Sequence, residues 1–443
     1  MRFYECLPYD YLLIRLKIME RKSSNDKACR NISGRIWFNR NIMKGEFLMK
    51  HILSFDIAKG KSVYCFIDEL RNTIIDATLI EHKKDDFDYL YKTVKKYDNL
   101  IVIMESTSIY HLPVENYFRS KGIETIVINP KLVKQFKDTL NKSKTDKLDC
   151  FKIARCYLGT VDSFYYKNDE YFMYNPLARQ YWSLIEGQTR LKNRYRQLID
   201  IVFHEFALIF NDLYNDLALN FIHDFPHPIF FTNRRIDYLM NYLKEKNGTT
   251  KAFRFKNKVL KMKELAYNSL CYDGYNSLQI QNLVQVIEMI QYHKSEITKI
   301  KEQLINKMKD KKLFKIINSI PGFGEFSTAL FLAEVGDITR FDDKYQLISF
   351  MGIDSVTSQS GTSAYHGPIS KTGCKFGRTI LFNIVTTIIQ ISAHSDKSNP
   401  IYLFFRKKQS EGKHHYKCII SCETKLCKII YKLCTSDCTY LNK

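Results

Sequence analysis

No stretch of this 443-residue chain approaches the roughly 18 consecutive apolar residues that a membrane-spanning helix needs. The first residues carry scattered charges and no apolar core followed by a small-residue cleavage site, so no secretory leader is read. The twelve cysteines show no repeated short-range pairing, which in so long a chain argues for reduced thiols in a cytoplasm. Acidic residues are also in short supply. Against 47 Asp and Glu stand 68 Lys and Arg, leaving a net charge of +21 and a pI near 9.3. That field is extreme for an enzyme of small metabolites; it favours a polyanion, with nucleic acid the first candidate and no membrane partner.

What is present is organised around Lys144-Thr145-Asp146-Lys147-Leu148-Asp149. Asp146 and Asp149 open an amphipathic run and, three residues apart, fall on one helix face about a turn apart. Two further acids close apolar runs upstream: Asp56 ends His51–Asp56 and Glu105 ends Leu100–Glu105. Acids from distant parts of a chain that converge in the fold can hold hard divalent cations through oxygen ligands. Such ions activate an attacking oxygen and stabilise a leaving one on phosphate.

The length allows two or three domains. Residues 1–48 carry twice as many basic as acidic residues and no sustained period. They are expected to lie outside the fold, the native start being Met43 or Met49; a short basic DNA-binding arm is the alternative. From 49 to about 160 the pattern is sheet-like. Strands are expected at His51–Ile57, Ser62–Asp68 and Thr73–Ile80, then a helix at Phe87–Tyr97, a strand at Leu100–Met104, a helix near Leu112–Lys121 and a strand at Glu124–Ile128. Three strands followed by helix, strand, helix, strand is the order of the ribonuclease-H-like (RuvC-like) α/β fold. It makes the strands bearing Asp56 and Glu105 neighbours, with the helix from Thr145 over the same edge.

Residues 161–312 turn helical. Leu177, Leu184, Leu191 and Leu198 recur at heptad spacing, and Leu283, Ile287, Ile290, Ile297, Leu304 and Met308 begin a second seam interrupted by Lys294 and Lys301. The two heptads pair with each other in an antiparallel hairpin, or with a partner subunit. The aromatic and basic insertion 206–280 reads as a helical subdomain or a nucleic-acid contact.

From 313 to 443 a mainly helical module is expected. Ile320-Pro321-Gly322-Phe323-Gly324 between two helices has the shape of a helix-hairpin-helix, whose Gly322 and Gly324 let backbone amides approach a phosphate. A polar loop over Ser358–Gly367 follows, holding Ser360 beside Gly361, then Ser370-Lys371-Thr372-Gly373 and a helix carrying Arg378. A loop serine can reach a phosphorus atom, while Lys371 and Arg378 balance transition-state charge. Cys418, Cys422, Cys427, Cys434 and Cys438 suit one or two faces of a terminal helix, as small apolar filling or, with His414 and His415, as zinc ligands.

These residues resemble a known family. Asp56, Glu105, Asp146 and Asp149 look like the DEDD set of the Piv/MooV-type insertion-sequence transposases, and the Lys144–Asp149 run is similar to the family's Lys-Thr-Asp-x-x-Asp. Ile320–Gly324, the Gln359-Ser360-Gly361 loop and Ser370-Lys371-x-Gly373 match the second, transposase domain in order and spacing. The resemblance covers about residues 50–160 and 313–435. One departure is Gly377, where a leucine usually precedes the arginine.

The resemblance implies a DNA recombinase that moves its own element, guided by a structured non-coding RNA whose loops pair with donor and target DNA. Ser360 would form a covalent phosphoserine link, and Asp56, Glu105, Asp146 and Asp149 would hold Mg²⁺ or Mn²⁺. Lys144, Gly322, Gly324, Lys371 and Arg378 would contact nucleic acid. The serine and the acids would come from different subunits of a homo-oligomer, a dimer or tetramer. A site-specific DNA invertase of the same family, a Holliday-junction-type nuclease using the carboxylates alone, and a non-catalytic nucleic-acid-binding protein are the alternatives.

Overall fold

The computed structural model describes residues 49–106, 109–128, 130–138, 146–159, 170–270, 274–360, 363–395 and 397–440. The extension 1–48 and Lys144 lie outside the described residues. The chain forms two compact units, one ending at Lys167 and the other beginning at Asn168.

The first unit is a five-stranded mixed sheet. Strands β1 (His51–Ala58), β2 (Lys61–Asp68) and β3 (Thr73–Glu81) form an antiparallel meander. Helix α1 (Lys84–Val94) leads to β4 (Leu100–Glu105), and α2 (Leu112–Ser120) leads to β5 (Glu124–Ile128). Both crossovers return parallel strands, and the order is β3-β2-β1-β4-β5, consistent with the expected ribonuclease-H-like arrangement. Helices α3 (Pro130–Asp138) and α4 (Asp146–Gly159) follow.

β1 is central, so both of its faces are covered, which is why its sequence reads as a nearly continuous apolar run. Leu53, Phe55 and Ile57 face one core with Phe66, Val102, Met104 and the α1 and α2 side chains Phe87, Leu90 and Phe118. Ile52 faces the opposite core, with Ile101, Ile103, Ile126 and the α3 and α4 side chains Val133, Ile153, Ala154 and Tyr157. Helix α1 begins three residues before the apolar run that announced it. Asp85 and Asp86 in its first turn favour an N-terminus there.

In the second unit the two heptads pair within the chain. Helix α5 (Asn175–Phe203) and helix α10 (Leu278–Met308) run antiparallel. Ala178 of α5 shares a core with Ile300, Leu304 and Met308, whereas Leu198 and Val202 share another with Ile280, Leu283 and Ile287. The seam lysines leave the seam. The Lys294 ammonium donates to the Tyr214 carbonyl at 2.6 Å and to Asp216 at 2.7 Å, and that of Lys301 lies 5.2 Å from the Phe326 ring. The insertion is a helical subdomain with α6 (Asp216–Asp224), α7 (Ile229–Thr232), α8 (Ile236–Lys246) and α9 (Lys256–Asn268), closed around Phe206, Phe210, Phe221, Phe225 and Phe231.

The carboxyl-terminal module contains α11 (Lys312–Asn318), α12 (Glu325–Val335), α13 (Lys344–Met351), a hairpin of β6 (Ser355–Ser360) and β7 (Ser363–Ile369), α14 (Lys375–His394), α15 (Pro400–Ser410) and α16 (His415–Thr435). The polar loop expected around Ser360 is therefore a correction: the segment is a two-stranded ribbon. A ribbon outside a larger sheet has no obligatory apolar face, so Ser355–Ser360 lacks the alternation that marks a strand. Helix α14 is, among the described residues, the one helix long and apolar enough to cross a membrane. Its Ile380, Leu381, Ile384, Val385 and Ile388 are instead core side chains. Cys418, Cys422, Cys427 and Cys434 fill the same core from α16, and Cys438 is exposed.

Glu423, also on α16, is 3% exposed. Burial pushes its carboxyl from 4.5 up to about 8, with the Arg378 charge pulling the other way. As pH rises between those two values the unfolded chain releases a proton that the folded chain retains, so stability falls through that window and levels off above it. Urea midpoints are expected to drop between pH 5 and pH 8.5, and Glu423→Gln to flatten that drop. An unchanged slope in the variant would assign the pH dependence to other groups.

Candidate active site

The carboxylate edge is built by strand register. β1 and β4 pair in parallel up to Phe55 opposite Met104, so the next residues, Asp56 and Glu105, leave the ladder side by side. Side chains alternate along a strand, which puts Asp56 on the face of Ile52 and Ser54, and Glu105 on the face of Ile101 and Ile103. That face is the one covered by α4. The contact is anchored by a buried hydrogen bond: the Ser54 hydroxyl donates to the Cys150 carbonyl at 2.8 Å. Asp146 is the first residue of α4, and Asp149 precedes Cys150, the residue hydrogen-bonded to Ser54 two positions before Asp56 on β1. Asp56, Glu105 and Asp149 are all partly buried.

This edge lies at the carboxyl ends of adjacent parallel strands, the usual place for ligands in open α/β sheets. Its donors are carboxylate oxygens, which suit a hard divalent cation rather than a soft one. Among the described side chains, which do not include that of Asp146, no three His, Cys, Asp or Glu stand close enough together to hold an ion as they are. Asp149 instead engages Lys152, with 3.2 Å between its Oδ1 and the lysine Nζ. Beneath α4, the hydrogen bond with Cys150 and burial push the Cys65 thiol pKa up.

The second set of predicted residues belongs to the carboxyl-terminal module. Ser360 ends β6 opposite Ser363, next to the hairpin turn. Ser370–Gly373 lies flat across the end of α13. The Ser370 hydroxyl donates to Asp354 at 2.6 Å, the Lys371 amide to the Gly352 carbonyl at 3.1 Å and the Cys374 amide to the Phe350 carbonyl at 2.7 Å. A side chain at position 373 would start 2.1 Å from the Phe350 carbonyl oxygen, so only glycine fits. Lys371 is exposed. Arg378 has a structural partner: its Nη1 donates to the Met351 carbonyl at 2.8 Å, capping α13. Gly377, the departure from the family pattern, lies where a Cβ would come within 2.8 Å of the buried Met351 sulfur.

The two glycines between α11 and α12 differ. Gly322 has φ +95° and makes room for Ile388 of α14, whose Cγ1 would lie 2.3 Å from a Cβ. Around Gly324, at the N-cap of α12, the space is open. A second lock joins α5 to the start of α14. Buried Glu334 accepts from Arg179 Nη2 at 2.9 Å and Asn175 Nδ2 at 3.3 Å, and Phe376 stacks on Trp182 at 4.9 Å. Burial raises the Glu334 pKa, opposed by Arg179.

The sequence reading missed Ser54, Lys152, Arg179 and Glu334. Ser54 was the detectable one, a small polar residue within the apolar run that Asp56 closes. Ser54→Ala is expected to cost about 1–3 kcal/mol by leaving the Cys150 carbonyl without its buried donor. Chemical denaturation measures it; a change within about 0.3 kcal/mol would show that the bond does not hold α4 to the sheet.

A transposase family model matches residues 53–204, which include Asp56, Glu105, Asp146 and Asp149. A second, described as the transposase IS116/IS110/IS902 family, matches residues 314–398, which include Gly322, Ser360, Lys371 and Arg378. A search of curated proteins finds no match. The two matches fall in the same order as the two sets of site residues and together span just over half of the chain. On that basis the chain belongs to the IS110-type insertion-sequence transposases, enzymes that act on DNA.

Proposed function

We propose that this transposase moves its element by strand exchange through a covalent phosphoserine intermediate, with Ser360 as nucleophile and Asp56, Glu105, Asp146 and Asp149 as a divalent-metal site. The observation that carries the reading is the β1–β4 register, which brings Asp56 level with Glu105 on the sheet face that α4 covers. The carboxylates would hold Mg²⁺ or Mn²⁺, which supplies charge stabilisation to phosphoryl transfer when bound.

The Ser360 oxygen would bond to phosphorus while the bond from phosphorus to the 3′ oxygen breaks. The serine proton passes to that leaving oxygen, giving a 5′-phosphoserine link and a free 3′ hydroxyl. A 3′ hydroxyl from another strand reverses the step and joins the new ends. Lys371, exposed beside this module, would contact phosphate backbone, as would Lys144 and the open N-terminus of α12 at Gly324. A structured guide RNA would choose the donor and target sites, and the serine and the acids would be contributed by different subunits of an oligomer. The +21 charge accords with two polyanionic partners, met in the cytoplasm.

A trapping assay tests this. Protein, the element's flanking RNA, Mg²⁺ and labelled DNA are mixed and run on a denaturing gel. A protein–DNA adduct is expected with wild type and none with Ser360→Ala, whose RNA and DNA binding stays within a few-fold of wild type. Asp149→Asn is expected to lower cleavage at least about a hundredfold. Strand exchange by Ser360→Ala would remove the serine from the chemistry, and cleaved ends without an adduct would establish a nuclease.

A further inference from the structure

Lys152 is 9% exposed. It lies one turn beyond Asp149 on α4, and the two side chains are 11% and 17% exposed across a 3.2 Å contact. Pairs at this spacing usually sit on the outside of a helix, screened by water and nearly neutral for stability. Lys299–Glu296 on α10 is of that kind, its lysine side chain 64% exposed. A lysine whose side chain is withdrawn from water this far is costly unless a negative charge offsets it. Asp149 offsets it at 3.2 Å, and Asp56 and Glu105 add negative charge to the sheet face that α4 covers.

We propose that Lys152 is the resident counter-cation of the carboxylate edge, holding Asp149 in place while no metal is bound and opposing the arriving divalent ion. The role rests on the reading of these acids as a metal-holding set. Without an ion the carboxylates repel one another, and the ammonium offsets part of that repulsion. Once an ion arrives, the same positive charge acts on it over a short distance in a poorly screened site and weakens its binding. Lys152 is thus a positioning residue that keeps the empty site folded and the ion exchangeable. Its charge, rather than its hydrogen bond alone, is what the variants must separate.

Mn²⁺ alone is titrated calorimetrically into full-length wild type, Lys152→Met, Lys152→Gln, Lys152→Arg and Asp56→Asn. Both neutral variants are expected to bind Mn²⁺ about tenfold more tightly than wild type. Their Mn²⁺-free forms should melt at a lower temperature and recover with saturating Mn²⁺, while Lys152→Arg keeps the wild-type affinity. Asp56→Asn should lose binding. Affinity in Lys152→Gln equal to or weaker than wild type overturns the counter-cation role while leaving the metal site standing. Wild type that shows no saturable binding, or Asp56→Asn that binds like wild type, overturns the carboxylate reading and the role of Lys152 with it.

Discussion

The parallel pairing of β1 with β4 is the constraint on which the first unit depends. Its register brings Asp56 level with Glu105, and a slip of one residue would turn one of them to the opposite face. Such a slip would also move a run of Ile, Leu, Val and Phe between two different cores, so hydrophobic burial on both faces enforces the alignment of two carboxylates that burial by itself disfavours. Helix α4 completes the arrangement through the Ser54–Cys150 hydrogen bond, which costs little surface and sets where the helix begins relative to the strand ends.

Charge decides the character of that edge. On α4 the Asp149 carboxylate is paired with Lys152 at low exposure, 3.2 Å apart. Elsewhere the chain handles its excess of basic side chains differently. Lys294 is drawn off the helical seam to a carbonyl and a carboxylate, and Arg340 lies over Phe341 and Phe350. The net positive charge is therefore not uniformly available to a polyanion; part of it is consumed as structure.

In the carboxyl-terminal module the central object is α14. Gly322 lets the turn between α11 and α12 press against Ile388, and Gly377 lets Met351 approach from α13. Arg378 then ties the end of α13 down, where Lys371 and Cys374 hydrogen-bond to Gly352 and Phe350 and Gly373 packs closely between them. Gly322, Gly373 and Arg378 are also packing residues, through which the hairpin bearing Ser360 is attached to the helical core.

What the sequence determined by itself was whatever depends on local period and on where apolar runs stop. The strand and helix order, the central place of β1, the acids at strand ends and the two heptads all follow from side chains alternating every two residues or recurring every three or four. The shape of the Ser360 segment was not legible, because a two-stranded ribbon imposes no apolar alternation. Nor were the duties of Gly322, Gly377 and Arg378, since each answers to a partner far along the chain. Whether the heptads would pair with each other was left to the tertiary structure, which closes both halves of the antiparallel helices with separate cores. Lys152 is the sharpest case. In sequence it is one more lysine in a basic protein, and only the folded structure withdraws it from water beside Asp149.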